Sequence, residues 1–220
     1  MPPSPTQANT HRDEVAGGER FEFGANWAPF LQHLEEARIT QAEASLAAAP
    51  DWTVQEGSVL DEAFVRSLGT FDVVYSRGVL HHTGAMWEAM AQAGLAVKVG
   101  GRLFMALYKP LFSRYWTLAK RLYCRHAWMR PAFIGLHLLY PVLPSVVARR
   151  LSGRALPSGM SVWRDLLDWL GGYPFEVSRP EQVLRFYRPR GFQLIGLTTA
   201  GGRHGCNEFV FLKAGASPCP

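Results

Sequence analysis

The order of apolar and polar positions sorts the middle of the chain into short strands and helices. FDVVYS at 71–76 is a compact apolar run of the kind a buried strand carries. RLFMALY at 102–108 predicts a second strand, and WTVQE at 52–56 alternates as a half-buried strand does. GAMWEAMAQAGLAV at 84–97 reads as a helix, and in GSVLDEAF Asp61 stands where it can cap a short one. KVGG at 98–101 reads as a turn with two glycines free to take positive φ. Residues 52–108 therefore run strand, helix, strand, helix, strand, which predicts an α/β fold with parallel pairing and right-handed crossovers.

The flanks have other patterns. Trp27, Leu31, Leu34, Ala42 and Leu46 recur near helical spacing, so a helix is expected over about 27–49, stopped by Pro50. GFQLIGLTT at 191–199 and EFVFLK at 208–213 alternate, and the Gly-rich AGGRHGCN between them predicts an antiparallel hairpin. Residues 110–170 read as a helical insertion, aromatic and basic. Within it, 131–148 holds no formally charged residue, but Pro131, Pro141, Pro144 and His137 interrupt it. An interfacial or buried helical hairpin is the expectation there, ahead of a membrane span. The first twenty residues are polar, rich in Pro and Gly and without an apolar stretch, so a disordered lead and no secretory signal are expected, with a flexible tail at 214–220.

Charge sharpens this division. The net charge is +5, yet no Asp or Glu occurs from Ala89 to Arg164, a segment with twelve Lys and Arg. The rest of the chain sets eleven basic residues against eighteen acidic ones. A basic middle on an acidic body points to an anionic substrate or surface, or simply to a solvated helical face. Weak contact with an anionic membrane surface is thus an expectation, and nucleic acid is disfavoured because no recognition module surrounds the basic residues. Cys124, Cys206 and Cys219 are few and widely spaced, which suggests neither a disulfide framework nor a metal site. A cytoplasmic location follows as an expectation, peripheral to the inner membrane face if the basic segment docks there.

FDVVYSRGVLHHTGAMWEAM followed by KVGGRLFMALY resembles the fourth strand, following helix and fifth strand of a class I S-adenosylmethionine-dependent methyltransferase. DWTVQEGSVLD resembles the third strand and its loop. FEFGANW, DWLGGYPFEVSRPEQVLRFYRPRGFQL and GGRHGCNEFVF are similar to segments of one bacterial subgroup, so the likeness runs over nearly all of 21–213. It implies a Rossmann-like sheet, mostly parallel with a C-terminal antiparallel hairpin, and S-adenosylmethionine as methyl donor. Ligands of such sheets lie beyond the carboxyl ends of the strands. By resemblance, Ser58 and Val59 match the positions against the adenine, and Ser76, Gly78 and Leu80 those facing the methionine part. His81 stands beside them as a candidate proton acceptor, or as a packed helix-start histidine. Arg77, Tyr108, Tyr173, Arg203 and Asn207 are candidates for the acceptor pocket, with Trp163, Asp165 and Asp168 among the same lid candidates.

One family feature has no counterpart. No strand followed by a glycine-rich turn lies between the 27–49 helix and DWTVQE, and a βαβ unit needs about 30 residues. The implied sheet is therefore shortened, and its glycine loop and ribose-gripping carboxylate are unprovided. Two readings stand. The chain is a methyltransferase for an unknown small nucleophile, completed by a partner chain or a homodimer, or it is a non-catalytic remnant or regulatory subunit.

Overall fold

The structure is a computed structural model that describes residues 13–22, 53–110, 112–139, 162–201 and 205–214. After a helical turn at 13–16, the elements are α1 (Glu62–Ser67), β1 (Phe71–Arg77), a 3-10 turn (Leu80–His82), α2 (Met86–Leu95), β2 (Val97–Tyr108), α3 (Ser113–Arg125), a second 3-10 turn (Ala127–Met129) and α4 (Arg130–His137). α5 (Val162–Gly171), α6 (Pro180–Tyr187), a third 3-10 turn (Arg188–Arg190), β3 (Phe192–Thr198) and β4 (Cys206–Lys213) complete them. The chain divides into a helical unit, Met1–Glu56 with Ala119–Tyr173, and a sheet unit, Gly57–Leu118 with Pro174–Pro220. The helix expected at 27–49, most of the 131–148 stretch beyond Leu139, and the 214–220 tail beyond Ala214 lie outside the described residues.

The sheet unit is a mixed α/β structure. Its four strands lie in the order β1-β2-β4-β3, with β1 parallel to β2 and both other pairings antiparallel. The sheet expected to be mostly parallel thus has one parallel pairing of three. The reason lies at 53–56, where the expected strand is absent: those residues take no strand conformation, and Val54 is 80% exposed. One exposed apolar side chain gives an isolated segment too little burial to offset its ordering. The expected hairpin is present, with Leu194 opposite Phe211.

One face of the sheet carries the core. Leu103, Met105 and Leu107 of β2 and Phe209 and Phe211 of β4 pack under Met86, Ala89, Met90 and Ala93 of α2 and Val183 and Tyr187 of α6. The Tyr187 hydroxyl, sealed in this layer, donates to the Met90 carbonyl at 2.7 Å. Lys213 donates to the Gly94 and Val97 carbonyls at 3.0 and 2.7 Å, placing a cation where α2 ends. Asp61 caps α1 as its position suggests, accepting from the Phe64 amide at 3.1 Å.

KVGG is not the plain turn its composition suggests. It lies within β2 as an irregularity: Phe71 is opposite Val97 and Val73 opposite Arg102, so four residues answer Asp72 alone. Gly100 takes φ +80 there, and a Cβ on Gly101 would meet the carbonyl oxygens of Lys98, Phe71 and Asp72 at 2.9, 3.0 and 3.1 Å. The second glycine is required by space and the first by backbone angle.

The helical unit packs Tyr123 and Cys124 of α3 against Leu166 and Leu170 of α5, with Phe133 and Ile134 of α4 beside them. The C-terminus of α5 is capped from α3. Lys120 Nζ donates to the Trp169 carbonyl and sits 4.3 Å from the Trp169 ring centroid, while Cys124 Sγ donates to the Gly171 carbonyl at 3.3 Å. Phe21, which follows the twenty-residue lead, joins this packing: its ring fills the space where a Gly171 side chain would stand, and its amide donates to the Tyr173 carbonyl at 3.1 Å. Among the described residues, no helix is long and apolar enough to cross a membrane.

Two stability predictions follow from these contacts. Gly101→Ala is expected to cost about 2 kcal/mol or more, since a new Cβ cannot be relieved by a rotamer change when its neighbours are backbone oxygens. Gly100→Ala meets nothing within 4 Å and pays the left-handed backbone alone, about 1 kcal/mol. Urea unfolding of both variants checks the order. Burial lowers the Lys120 ammonium to about 7. The unfolded chain therefore holds more protons than the folded one from pH 7 upward, and stability rises with pH. The rise is at most about 1.4 kcal/mol per pH unit from this group. Burial also lifts the Cys124 and Cys206 thiols to about 11, which works the opposite way once the unfolded thiols begin to ionise at about pH 8. The window from about pH 7 to 8 is therefore the lysine's, and Lys120→Met should flatten the slope there.

Candidate functional site

Parallel strands β1 and β2 end side by side, and the sheet unit gathers its polar and aromatic candidates at those carboxyl ends. Arg77 closes β1, opposite Ala106 of β2, which in turn lies opposite Glu208 of β4. The methyl group of Ala106 leaves room above it, and the Arg77 guanidinium reaches Glu208 at 3.5 Å across the middle strand. Two residues earlier, Tyr75 stacks on Phe104, its register partner, with centroids 4.7 Å apart and planes 7° from parallel. Among the described residues of the sheet unit, no helix packs on this face as α2 and α6 do on the core face, and Val73 and Tyr75 are 63% and 62% exposed.

Beyond Arg77, Gly78 takes φ +77 and turns the chain into the Leu80–His82 turn. Among the described residues, a Cβ on Gly78 would meet nothing within 4 Å, so the loop leaves space on that side. Leu80 points the other way and is buried in the sheet core. Thr83 fastens the turn, its hydroxyl donating to the Leu80 carbonyl at 2.8 Å.

His81, His82 and Tyr108 form an aromatic cluster at the end of β2. His81 lies 4.5 Å from both His82 and Tyr108, edge-on to the latter. A strap at 174–178 covers the cluster, and each of its bonds has a defined donor. His82 Nδ1 donates to the Pro174 carbonyl at 2.8 Å, which fixes the proton on that nitrogen, because a carbonyl only accepts. The Glu176 amide donates to the His81 carbonyl at 3.0 Å and the Ser178 amide to the Tyr108 carbonyl at 2.9 Å. Gly84, at φ +81, lets Pro174 approach, since a Cβ there would come within 3.3 Å of the proline ring. Phe175 completes the cover at 5.2 Å from Tyr108.

The strap is anchored by Glu176. α2 begins at Ala85, which has no side chain to cap it, and the Glu176 carboxylate accepts from the Met86 amide at 2.9 Å instead. Burial pushes this carboxyl above its usual value, against the lowering effect of the Met86 and Gly84 amides. The strap closes His81 off from solvent altogether. Burial also raises the Tyr108 hydroxyl well above its ordinary value and lifts the Cys206 thiol to about 11, so both are neutral at pH 7.

The structure distributes the candidate residues unevenly. It brings Arg77, His81 and Tyr108 to one end of the sheet, with Ser76 half-buried beside them and Asn207 on the neighbouring strand. Asn207 is buried, and its Oδ1 accepts from the Ala200 amide at 3.1 Å, which holds the hairpin loop. Ser58 Oγ is engaged within its own turn by the Leu60 amide at 3.2 Å, and Val59 packs on the sheet core. Tyr173 belongs to the helical unit, and Arg203 lies outside the described residues. Of the other positions matched by resemblance, Ser76 is half-buried and Gly78 exposed at the strand end, whereas Val59 and Leu80 face the core. Pro174, Glu176 and Glu208 were not among the sequence candidates. The missing side-chain cap at Ala85 was the signal that a distant acid was needed.

No family model matches the chain, and no curated protein matches it. Among solved structures it is similar to an O-methyltransferase family protein from Burkholderia thailandensis, at TM-score 0.47 and 15% identity, over 82% of this chain and 41% of that one. It is also similar to PKMT2 from Rickettsia typhi, at TM-score 0.47 and 12% identity, over 82% and 42%. PKMT2 from the same organism in complex with AdoHcy matches at TM-score 0.47 and 11% identity, over 81% and 43%. The chain thus spans about two fifths of the length of the solved structures it matches.

Proposed function

We propose that the sheet unit is the acceptor-side part of an S-adenosylmethionine-dependent methyltransferase site, incomplete toward the cofactor. The observation that carries this reading is the Ser76–Gly78 loop at the carboxyl end of β1. It has a left-handed glycine, open space on its outer side and the His81–Tyr108 cluster behind it. Methyl transfer from a sulfonium is an in-line displacement, so the protein's part is chiefly to position donor and acceptor. In this reading Ser76 and the Gly78 backbone face the methionine end, and Arg77 with Glu208 borders the acceptor. His81 and Tyr108 shape the floor. A proton-accepting role for His81 requires the 174–178 strap to move, since the imidazole is sealed in the closed form.

A second reading, a non-catalytic or regulatory remnant, is favoured by a specific observation. Residues 53–58 add no strand to the sheet, and β1 is its edge among the described residues. Among the described residues, the adenine and ribose ends of a cofactor then have no wall. A lost charge-assisted hydrogen bond costs about 1.5–3 kcal/mol, and each 1.4 kcal/mol is about tenfold in affinity. Lacking ribose contacts and a close backbone approach, the isolated chain should bind on the order of a hundredfold or more weaker than a complete site.

The expected result is no saturable heat on titration with micromolar S-adenosylhomocysteine. At millimolar ligand, saturable NMR shifts should be confined to the amides of 76–80. Binding should strengthen when a second protein supplies a glycine-rich loop. Tight stoichiometric binding by the purified chain would overturn the incompleteness, and the absence of any amide shift at millimolar ligand would overturn the cofactor reading itself.

A further inference from the structure

We propose that the helical unit docks on an anionic lipid bilayer through the outer face of α4 and the turn that precedes it. A helix on the surface of a soluble unit normally buries one stripe and shows a polar one. α4 buries a stripe: Phe133 and Ile134 pack toward Tyr123, Leu166 and Leu170, and His137 is buried with Nδ1 donating to the Phe133 carbonyl at 2.7 Å. Its other stripe is not polar. Ala132 and Leu136 of α4 and Leu139 just past its end follow one another at helical spacing and are exposed, Leu136 at 56% and Leu139 at 67%. Just before the helix, Trp128 is 78% exposed. An indole and a leucine stripe left in water this way suit the boundary between headgroups and acyl chains.

Charge selects the partner. The segment that leads into this stripe carries Arg121 and Arg125, both exposed on α3, and Arg130, which caps α3 through the Tyr123 and Cys124 carbonyls at 3.1 and 3.4 Å. The one acid bound to this set is Glu19, 4.0 Å from Arg125 among the described residues. No Asp or Glu occurs in the sequence from Ala89 to Arg164. Apolar side chains that insert and guanidinium groups that stay at the surface match an anionic bilayer, where each basic residue adds attraction that salt removes. A nucleic acid would use the arginines and leave the leucines in water. Docking of this kind is interfacial, in keeping with the absence of a spanning helix among the described residues. It does not depend on whether the strand ends of the sheet unit hold a cofactor.

Flotation of the full chain with vesicles tests the proposal. Vesicles of phosphatidylcholine with about one third phosphatidylserine should carry the protein at 50 mM NaCl and release most of it at 500 mM, and phosphatidylcholine alone should carry little. Arg121→Gln with Arg125→Gln should lower the partition coefficient about tenfold or more. Leu136→Ser with Leu139→Ser should lower it comparably on anionic vesicles, with the far-UV circular dichroism unchanged. Equal recovery with neutral and anionic vesicles would overturn the proposal, as would leucine variants that float like the wild type. A dimer in light scattering that the leucine substitutions dissociate would assign the face to a second copy instead. Salt-sensitive binding to duplex or single-stranded nucleic acid without vesicle binding would assign the arginines to that ligand.

Discussion

Strand β2 is the constraint on which the sheet unit depends. It is the strand with a parallel neighbour on one side and an antiparallel one on the other, and its inward residues Leu103, Met105 and Leu107 are almost wholly buried. A strand paired along both edges satisfies its backbone donors and acceptors without water, so it can lie at the centre of a dry layer. Its register then fixes everything at the strand ends. Ala106 lies between Arg77 and Glu208, so these two meet across it. Tyr108 lies at the end, so its ring closes on His81 and its carbonyl receives the Ser178 amide. The two glycines of KVGG absorb the extra residues that this register demands.

The helical unit rests on a different device. The α5 C-terminus presents carbonyls with no partner of their own inside the helix. Lys120 and Cys124, one turn apart on α3, supply donors to two of them. Burying the amine beside Trp169 carries a desolvation cost that falls on the charged form, which is why the ammonium sits near neutrality. Arg130 does the same service for α3 from its own C-terminal side, where it remains partly in water. Cations thus close helix ends within a segment that has no acids to pair them with.

Periodicity was a good guide where a segment's neighbours are close in sequence and a poor one where they are distant. FDVVYS, RLFMALY and the two C-terminal runs become strands, because each brings enough apolar surface to the layer under α2 and α6. WTVQE has the alternation of a strand, but the described part offers a single apolar side chain to bury, and pattern cannot supply a partner. KVGG has turn composition, yet the strand continues through it as a bulge, since glycine serves both. For the candidate site, the resemblance singled out Arg77, His81 and Tyr108, which the structure gathers at one end of the sheet. Orientation was a separate matter: Leu80 and Val59 occupy positions the resemblance places near a ligand, but their apolar side chains are drawn to the core. Glu176 lies ninety residues from Met86 in sequence, so no local pattern could announce their bond.

The edge of the sheet ties site and stability together. β1 has the composition of a strand meant for burial on both faces, with Val73, Val74 and Tyr75 in succession, yet among the described residues one of its edges carries no strand. Asp72 pairs with Lys98 of β2 at 2.9 Å near the start of the strand and Arg77 reaches Glu208 of β4 at its end, so both charges are turned toward the paired side of β1 and away from its free edge. An extended backbone paired along that edge would run beside the Gly78 loop, because β1 leads directly into it. Among the described residues, the free edge of β1 and the candidate site therefore adjoin, and a strand added to the first would wall the second.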